Sequence, residues 1–399
     1  MIQKGKKPFG VKFVKNNEPG KNDQVIPVYC TLYERPEPIS TYWLNCSANR
    51  DRSNSKISKA YDLVIFFEWY EEKIGSFSKN IISLSSLPIF LADSLLERIS
   101  KPVTRSGCLS PSTIKRRSST IAQFLRYSYS QVVSSSSKNE KARKCLDDLE
   151  VFIKIICKDT YYRKEESTNR ASHEDVSMVI SAMLRQLDSE KNTDSYVRQL
   201  RNTLIIWLIS ETGMRRSELC MLTLDCIDID SARPCITVKV KPPQEVSPRR
   251  QIASIKTRGR TLPISQKLAD FISNYIDNCR VLIREKSTTR WSSYLFLSMR
   301  DGAPLGPSSV YVIVSNAFKE HAKSGIVVSP HDLRTYCISK IRDQLINDST
   351  TDNFWLGKDI VSYVGGWSPV GEMADYYTNM VVREKLNHLA ARIYKEWKW

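Results

Sequence analysis

Two short stretches in the C-terminal part of the chain carry side chains that could act together on an anion. The first, PHDLRTY, places His331 and Arg334 three residues apart. If Pro330 lies in the first turn of a helix, both side chains project from one face of that helix. The second, GGWSP, places an indole N–H at Trp367, ten residues before Tyr377. An isolated His-x-x-Arg pair is more often a helix cap beside a solvated arginine, so a functional interpretation needs further residues.

Two more basic residues could belong to the same anion-binding site. Arg215 follows Gly213, which interrupts a predicted helix, and Glu218 is spaced to orient its guanidinium. The neighbouring Arg216 competes for this role, but the position of Glu218 favours Arg215. Lys256 lies at the tip of a predicted β-hairpin, IKTRGRTLPI. A hairpin lysine is usually a solvated edge residue, and only the other residues give it a chemical role.

Together these side chains describe a phosphoryl-transfer site that needs no metal ion. Two arginines can hold the non-bridging oxygens of a pentavalent transition state, and the imidazole and indole N–H groups can donate to the same oxygens. A lysine can protonate the leaving 5′-oxygen. A tyrosine can then act as the nucleophile and keep the phosphate as a covalent phosphotyrosine.

The composition agrees with a polyanionic partner. The 399 residues include 60 Lys and Arg against 43 Asp and Glu, a net charge of +17. Nucleic acid is the first candidate, because counterion release rewards many phosphate contacts. No segment resembles a membrane span or a signal peptide, so we expect a soluble, cytoplasmic protein of the bacterial cytosol or nucleoid. Ten cysteines without a CxxC pair and four histidines without ligand spacing predict reduced thiols, no metal site and no cofactor.

The periodicity of apolar residues predicts a mainly α (α+β) protein. Residues 1–50 are an accessory segment, and residues 51–165 form a helical domain that contains a strongly apolar helix from Ala60. A polar stretch, 158–171, marks the boundary to a mixed helical domain over 172–399. In that domain, short apolar runs separated by turn residues predict a small antiparallel sheet over 226–229, 235–240, 251–255 and 260–264.

A basic helix in the N-terminal domain is a candidate for DNA contact. Ser110 followed by Pro111 predicts its start, and Lys115, Arg116 and Arg117 fall in its first turns. Acidic residues are favoured there by the helix dipole, so basic ones are better explained by phosphate contacts. The alternative is a solvated basic face.

Five motifs in this order, GMRRSEL, IKTRGRTLPI, PHDLRTY, GGWSP and YYTNM, resemble the tyrosine recombinase (phage integrase) family over about residues 172–385. The stretch from Leu109 to Tyr127 resembles the helical core-binding domain of that family. The resemblance implies a site-specific DNA recombinase or integrase that cuts and rejoins strands through a covalent 3′-phosphotyrosine. It also implies a dimer on each double-stranded site, a tetramer on paired sites, and accessory DNA-bending or partner recombinase proteins.

The resemblance also assigns residues. It implies two catalytic arginines, a hairpin lysine and a first histidine, which are Arg215, Arg334, Lys256 and His331. Trp367 stands at a position that is His in many members. An indole can donate a hydrogen bond but cannot shuttle a proton. In the basic hairpin, Arg258 and Arg260 are further candidates for DNA contact.

The nucleophile is one of two adjacent tyrosines. Tyr377 is preferred because the residues that follow it resemble the Tyr-Thr-His-aliphatic ending of many members, and because Met373 and Met380 lie on its helical side. Tyr376 remains the alternative. Two other functions stay open, a type IB-like topoisomerase that relaxes supercoils as a monomer and a non-catalytic DNA-binding protein of the same fold. The C-terminal segment 390–399 docks either on its own domain or on a neighbouring protomer.

Overall fold

The computed structural model describes residues 9–12, 28–30, 35–45, 53–102, 109–134, 140–158, 171–190, 193–240, 258–286, 292–323, 327–347, 354–367, 386 and 389–395. The chain divides into two compact units, Met1–Glu165 and Glu166–Trp399. Both are mainly helical, and each contains a three-stranded antiparallel sheet. The predicted mainly α (α+β) class is confirmed. None of the helices in these ranges is both long and apolar enough to cross a bilayer.

In its described residues, the first unit combines a small sheet with six helices. Its strands pair in the order β1-β2-β3, and they are β1 (Phe9–Val11), β2 (Val28–Cys30) and β3 (Arg35–Pro36). Its helices are α1 (Pro38–Asn45), α2 (Ser53–Lys73), α3 (Phe77–Ile82), α4 (Ala92–Ser100), α5 (Pro111–Ser134) and α6 (Glu140–Cys157), with a 3₁₀ turn at Ile89–Leu91.

Aromatic side chains of α2 form the centre of the first unit. Phe66 is fully buried and lies within ring-contact distance of Phe77 and Phe124, with centroid separations of 5.5 and 6.1 Å. The strongly apolar helix predicted from Ala60 is therefore largely buried, although Tyr61 stays 52% exposed. Phe9 of β1 stacks on Phe67 at 5.5 Å, and Trp43 of α1 meets the edge of Phe124 at 5.5 Å. The described part of segment 1–50 thus shares the core of the helical unit.

The second unit surrounds one buried helix. Its helices are α7 (His173–Ser189), α8 (Thr193–Thr212), α9 (Arg216–Cys220), α10 (Gln266–Asn274), α11 (Val281–Glu285), α12 (Pro307–His321), α13 (Pro330–Asn347) and α14 (Phe354–Gly365). A 3₁₀ turn at Leu224–Cys226 precedes the sheet, and a π-helical turn at Tyr275–Arg280 joins α10 to α11. Helix α8 is buried without interruption from Thr203 to Thr212, because α7, α10, α12 and α13 pack around it.

The turn that follows α8 depends on a glycine. Gly213 has φ +63, in the left-handed region that glycine adopts without steric cost. A Cβ at this position would also lie 3.2 Å from Sγ of Cys337 on α13. The turn therefore holds α8 and α13 close together, with Met214 buried in the core and the side chain of Arg215 partly exposed.

The sheet of the second unit consists of β4 (Ile227–Asp228), β5 (Cys235–Val238) and β6 (Arg260–Pro263), paired antiparallel in that order. These strands fall within the predicted runs, while the run 251–255 lies outside the described residues. Ile236, Val238 and Leu262 point into the core. The edge of β6 is covered, because the hydroxyl of Tyr363 accepts a hydrogen bond from the backbone N–H of Thr261 at 3.0 Å.

The helical residues 389–395 pack on their own unit. Leu389, Ala390 and Ile393 are buried, and the hydroxyl of Tyr394 donates to the carbonyl oxygen of Pro263 at 2.8 Å. Residues 390–395 thus pack on their own domain, while the rest of segment 390–399 lies outside the described residues.

Candidate active site

Helix α13 begins at Pro330, which therefore lies in the first helical turn. The carboxylate of Asp332 accepts hydrogen bonds from the backbone N–H and the hydroxyl of Ser329 at 2.8 and 2.7 Å, a reciprocal cap of the helix N-terminus. His331 is exposed in the first turn, and Arg334 is buried one turn further along. The cap therefore fixes the register that separates an exposed imidazole from a buried guanidinium.

The guanidinium of Arg334 is held by two backbone carbonyl groups. Nη1 donates to the oxygen of Gly213 at 2.6 Å, and Nη2 donates to the oxygen of Gly365 at 2.7 Å. Its carbon Cζ lies 5.9 Å from the ring centre of Trp367. Burial, followed by the positive charge of Arg215, lowers the pKa of Arg334 to about 10. The group remains a cation at neutral pH.

Arg215 caps α9 and reaches the same carbonyl oxygen. Its backbone N–H donates to Glu218 Oε2 at 2.8 Å, and its Nη1 lies 3.4 Å from Glu218 Oε1 and 2.8 Å from Gly365 O. Glu218 thus contacts Arg215, as its spacing in the sequence suggested. The side chain of Arg215 is 29% exposed. Within the described ranges, its Nε and Nη2 make no hydrogen bond, which leaves these donors for an anionic ligand.

The carbonyl of Gly365 lies at the end of α14. Gly366 has φ +59, its N–H donates to Tyr363 O at 2.9 Å, and the N–H of Trp367 donates to Ser362 O at 3.0 Å. This pattern is a Schellman motif, which satisfies two of the last carbonyl groups of a helix. A Cβ on Gly365 would lie 2.8 Å from the ring of Trp367. Both glycines of the GGWSP motif are therefore required by the geometry, a role that sequence analysis did not assign to them.

Arg260 binds the next carbonyl of the same helix end. Its Nε donates to Val364 O at 2.9 Å, while Nη1 and Nη2 donate to the two oxygens of Glu218 at 3.1 and 2.7 Å. Three arginines thus surround the end of α14, where the helix dipole is negative. The side chain of Arg260 is only 1% exposed. The prediction that Arg260 contacts DNA is wrong for this structure, because its guanidinium is buried against protein acceptors.

The site has an excess of positive charge. Arg215, Arg260 and Arg334 stand against the carboxylate of Glu218, which leaves a net charge of two positive units for an anion. Trp367 is 45% exposed beside them, with its ring over Arg334. Three candidates, Lys256, Tyr376 and Tyr377, lie outside the described residues. The predicted residues that the structure brings together are Arg215, Arg334 and Trp367, with His331 on the same helix as Arg334.

Comparison with known proteins identifies the family. The model of the phage integrase family matches residues 172–379, which include four of the five motifs in full and YYTNM up to Asn379. The chain belongs to the phage integrase family. This phage integrase family member is 32% identical over 139 residues to tyrosine recombinase XerA of Pyrococcus furiosus, covering 34% of the chain and 39% of the relative. It is 29% identical over 134 residues to tyrosine recombinase XerC of Bacillus pumilus, covering 34% and 38%. The matches thus span about two fifths of the length of these relatives.

A solved structure shows the same fold. The Tn1549 transposon integrase in complex with transposon right end DNA has a TM-score of 0.51 to this phage integrase family member, at 17% identity, covering 88% of this chain and 98% of the other. Its complex with circular intermediate DNA gives a TM-score of 0.50 at 15% identity, covering 87% and 98%.

The first turns of the basic helix of this integrase family member carry one buried and two exposed cations. Helix α5 starts at Pro111 as predicted, and Lys115 and Arg116 are exposed, with Arg116 paired to Asp62 of α2. Arg117 is buried instead, and its Nη1 donates to Ile99 O at 2.6 Å and to Lys101 O at 3.1 Å. The prediction that Arg117 contacts DNA is wrong for this structure, because the side chain binds the C-terminal end of α4. Contacts of Lys115 and Arg116 with DNA stay predictions, as does the contact of the exposed Arg258.

A buried carboxyl that was not among the predicted site residues, Glu211, lies just before the turn at Gly213. Glu211 accepts hydrogen bonds from Trp207 Nε1 at 3.0 Å, from Ser265 Oγ at 3.1 Å and from the backbone N–H of Ser265. Burial raises the pKa of Glu211 to about 7. The thiol of Cys337 donates to the backbone oxygen of Glu211 at 3.3 Å, and burial raises the pKa of this thiol to about 12. Only its place two residues before Gly213 could have singled Glu211 out.

Proposed function

We propose that this protein is a site-specific DNA recombinase that cuts and rejoins strands through a tyrosine nucleophile. One observation carries the proposal: Arg215 and Arg334 donate to the same oxygen, at 2.8 and 2.7 Å, from two separate segments of the chain. Side chains that converge on one carbonyl oxygen are spaced to share a phosphate oxygen as well. Family membership supports the same chemistry.

The reaction that fits these residues is an in-line displacement at phosphorus. The phenol oxygen of Tyr377, or of Tyr376, forms a bond to phosphorus and gives its proton to solvent. The bond from phosphorus to the 5′-oxygen breaks, and Lys256 protonates that leaving oxygen. The product is a 3′-phosphotyrosine and a free 5′-hydroxyl. Attack by the 5′-hydroxyl of a second strand reverses these steps and rejoins the DNA.

The arginines lower the barrier by stabilising charge in the transition state. A phosphodiester carries one negative charge, and the pentavalent transition state carries more on its non-bridging oxygens. Arg215 and Arg334 supply fixed positive charges there, while His331 and the indole of Trp367 add N–H donors. Trp367 acts only as a hydrogen-bond donor, because an indole N–H is too weak an acid to give up its proton at neutral pH. No step in this scheme requires a metal ion.

Double-stranded DNA is the proposed partner. The net charge of +17 favours a polyanion, and Lys115, Arg116 and Arg258 offer exposed cations for phosphates. The fold neighbour solved with transposon right end DNA supports this choice. We further propose that two protomers occupy each site and four act on paired sites in the bacterial cytoplasm, with accessory DNA-bending or partner recombinase proteins. The product is an integrated, excised or resolved DNA segment.

Trapping the covalent intermediate tests the proposal. Duplexes that carry a nick near the candidate cleavage position lose a short fragment after attack, so the protein stays attached to DNA on a denaturing gel. We expect such an adduct with the wild-type protein, and we expect Tyr377→Phe to abolish it while the Kd for DNA stays within about threefold.

An adduct that survives Tyr377→Phe but not Tyr376→Phe would assign the nucleophile to Tyr376. An adduct formed by neither the wild-type protein nor any variant would leave a DNA-binding protein without this activity. Relaxation of supercoiled plasmid by a monomer would favour the type IB topoisomerase.

A further inference from the structure

We infer that Arg260 is a positioning residue of the cleavage site, which keeps Arg215 and Arg334 directed toward the scissile phosphate. The inference rests on the proposed function, since it concerns the rate of the cleavage step. Arg260 does not touch DNA in this arrangement, because its side chain is 1% exposed. It acts instead through two protein groups, the carboxylate of Glu218 and the carbonyl of Val364.

The first route runs through Glu218. Arg260 holds both oxygens of this carboxylate at 3.1 and 2.7 Å, whereas Nη1 of Arg215 lies 3.4 Å away. A carboxylate that already has a bidentate guanidinium partner attracts a second cation less strongly. Glu218 therefore orients Arg215 but does not hold its guanidinium in a close bidentate ion pair. Without Arg260, the buried carboxylate would draw the guanidinium of Arg215 into its place and away from a substrate phosphate.

The second route runs through the end of α14. Arg260 Nε binds Val364 O at 2.9 Å, and the next carbonyl along the chain, Gly365 O, accepts from Arg215 and Arg334. Val364 O and Gly365 O belong to adjacent planar peptides that are joined only through φ and ψ of Gly365, so anchoring the first peptide restricts the position of the second. Trp367 follows two residues later. One buried guanidinium thus links strand β6 to the acceptors that hold both arginines.

Lysine cannot replace this arrangement. The planar guanidinium of Arg260 presents three separate N–H directions, two toward the carboxylate and one toward the carbonyl. An ammonium group is a compact charge on a flexible stem and cannot reach both acceptors with the same geometry. A positioning role therefore predicts that Arg260→Lys retains the charge but loses most of the effect.

The test measures the rate of covalent adduct formation on nicked DNA and, separately, the Kd for the same DNA. We expect Arg260→Met to slow adduct formation on the order of 100-fold, with the Kd within about threefold of wild type. Arg260→Lys should recover less than a tenth of the wild-type rate. The matched control is Arg280→Met, which removes an equally buried guanidinium that binds the carbonyl oxygens of Ser292 and Tyr294. Arg280→Met should lower the Tm, while its folded fraction forms adduct within about threefold of the wild-type rate.

Two further measurements separate positioning from loss of folding. The double variant Glu218→Gln, Arg260→Met removes the carboxylate that would capture Arg215, so we expect it to form adduct at least about fivefold faster than Arg260→Met alone. A substrate with sulfur in place of the bridging 5′-oxygen has a leaving group that needs no proton. We expect this substrate to leave the Arg260→Met defect unchanged, because the arginines and not the proton donor are misplaced, and to rescue Lys256→Ala.

The inference is overturned if folded Arg260→Met forms adduct within threefold of the wild-type rate, if the double variant is no faster than the single one, or if the sulfur-containing substrate restores its rate. In each of these cases the wild-type adduct persists, and the proposed function stands. Absence of an adduct from the wild-type protein would instead contradict the proposed function.

Discussion

Arg215 and Arg334 donate hydrogen bonds to one oxygen atom, the carbonyl of Gly365, at 2.8 and 2.7 Å. This carbonyl ends a helix whose other terminal acceptors are satisfied by backbone N–H groups and by Arg260. The positive charges of the site are therefore held together by the negative end of a helix before any substrate arrives. Preorganised charge of this kind needs little rearrangement during the reaction, which is the main source of its catalytic effect.

Conservative changes of the two arginines should affect cleavage more than binding. We expect Arg215→Lys and Arg334→Lys each to slow adduct formation by about 10²- to 10³-fold, because a lysine cannot donate to two acceptors in one plane. Adduct formation and Kd on nicked duplexes measure the two effects. Arg216→Lys is the matched control, since Arg216 is the exposed neighbour in the same turn. An equal loss in Arg216→Lys would move the catalytic role to that residue.

The glycines of the GGWSP motif should be required for catalysis. Gly366→Ala places a Cβ at φ +59, which costs on the order of 1 kcal/mol, and the strain is relieved by shifting the Gly365 carbonyl and Trp367. We expect adduct formation to fall at least about tenfold. The comparison is Gly302→Ala, which creates the same strain at φ +62 in the same unit. A similar fall of the cleavage rate in the folded fraction of both variants would contradict a local effect.

The basic helix should divide into DNA-binding and structural residues. Lys115→Ala is expected to reduce the slope of log K against log salt concentration by about one, because one phosphate contact is lost. Arg117→Ala should leave this slope unchanged and lower the free energy of unfolding by about 1–3 kcal/mol, since it removes buried hydrogen bonds to Ile99 and Lys101. Titrations at several salt concentrations and urea denaturation distinguish the two outcomes. A reduced slope for Arg117→Ala would restore its predicted contact with DNA.

The pKa of Glu211 predicts a stability that falls as the pH rises. The pKa is about 7 in the folded protein and near 4.5 in an unfolded chain, so the folded state binds the proton more tightly. The contribution of Glu211 to the free energy of unfolding is therefore highest below pH 4.5. This contribution declines by about 3 kcal/mol as the pH rises to 7. Urea denaturation at several pH values should show this decline, and Glu211→Gln should remove it. Glu285→Gln, a change at an exposed carboxyl of the same unit, should leave the pH profile unchanged.

Cleavage should not depend on a divalent metal ion. In the proposed reaction, the charge of the transition state is balanced by arginines, so excess EDTA should change the rate of adduct formation by less than about twofold. Protein dialysed against EDTA and assayed with and without added Mg²⁺ measures this. A rate that returns only on addition of Mg²⁺ would contradict the proposed chemistry.

The sequence by itself determined the local features of the protein. The start of α13 follows from Ser329 and Asp332, the end of α8 follows from Gly213, and the strands β4 to β6 follow from short apolar runs, because capping, turn formation and alternation depend on neighbouring residues. The order of the motifs also indicated the family.

The tertiary structure decided which cations are accessible. In the sequence, Arg117 lies in the same basic stretch as Lys115, and Arg260 in the same one as Arg258. In the structure, Arg117 and Arg260 are instead surrounded by carbonyl and carboxylate groups from distant segments. The convergence of Arg215 and Arg334 on Gly365 O, and the raised pKa of Glu211, likewise arise only when remote parts of the chain exclude water from the same place.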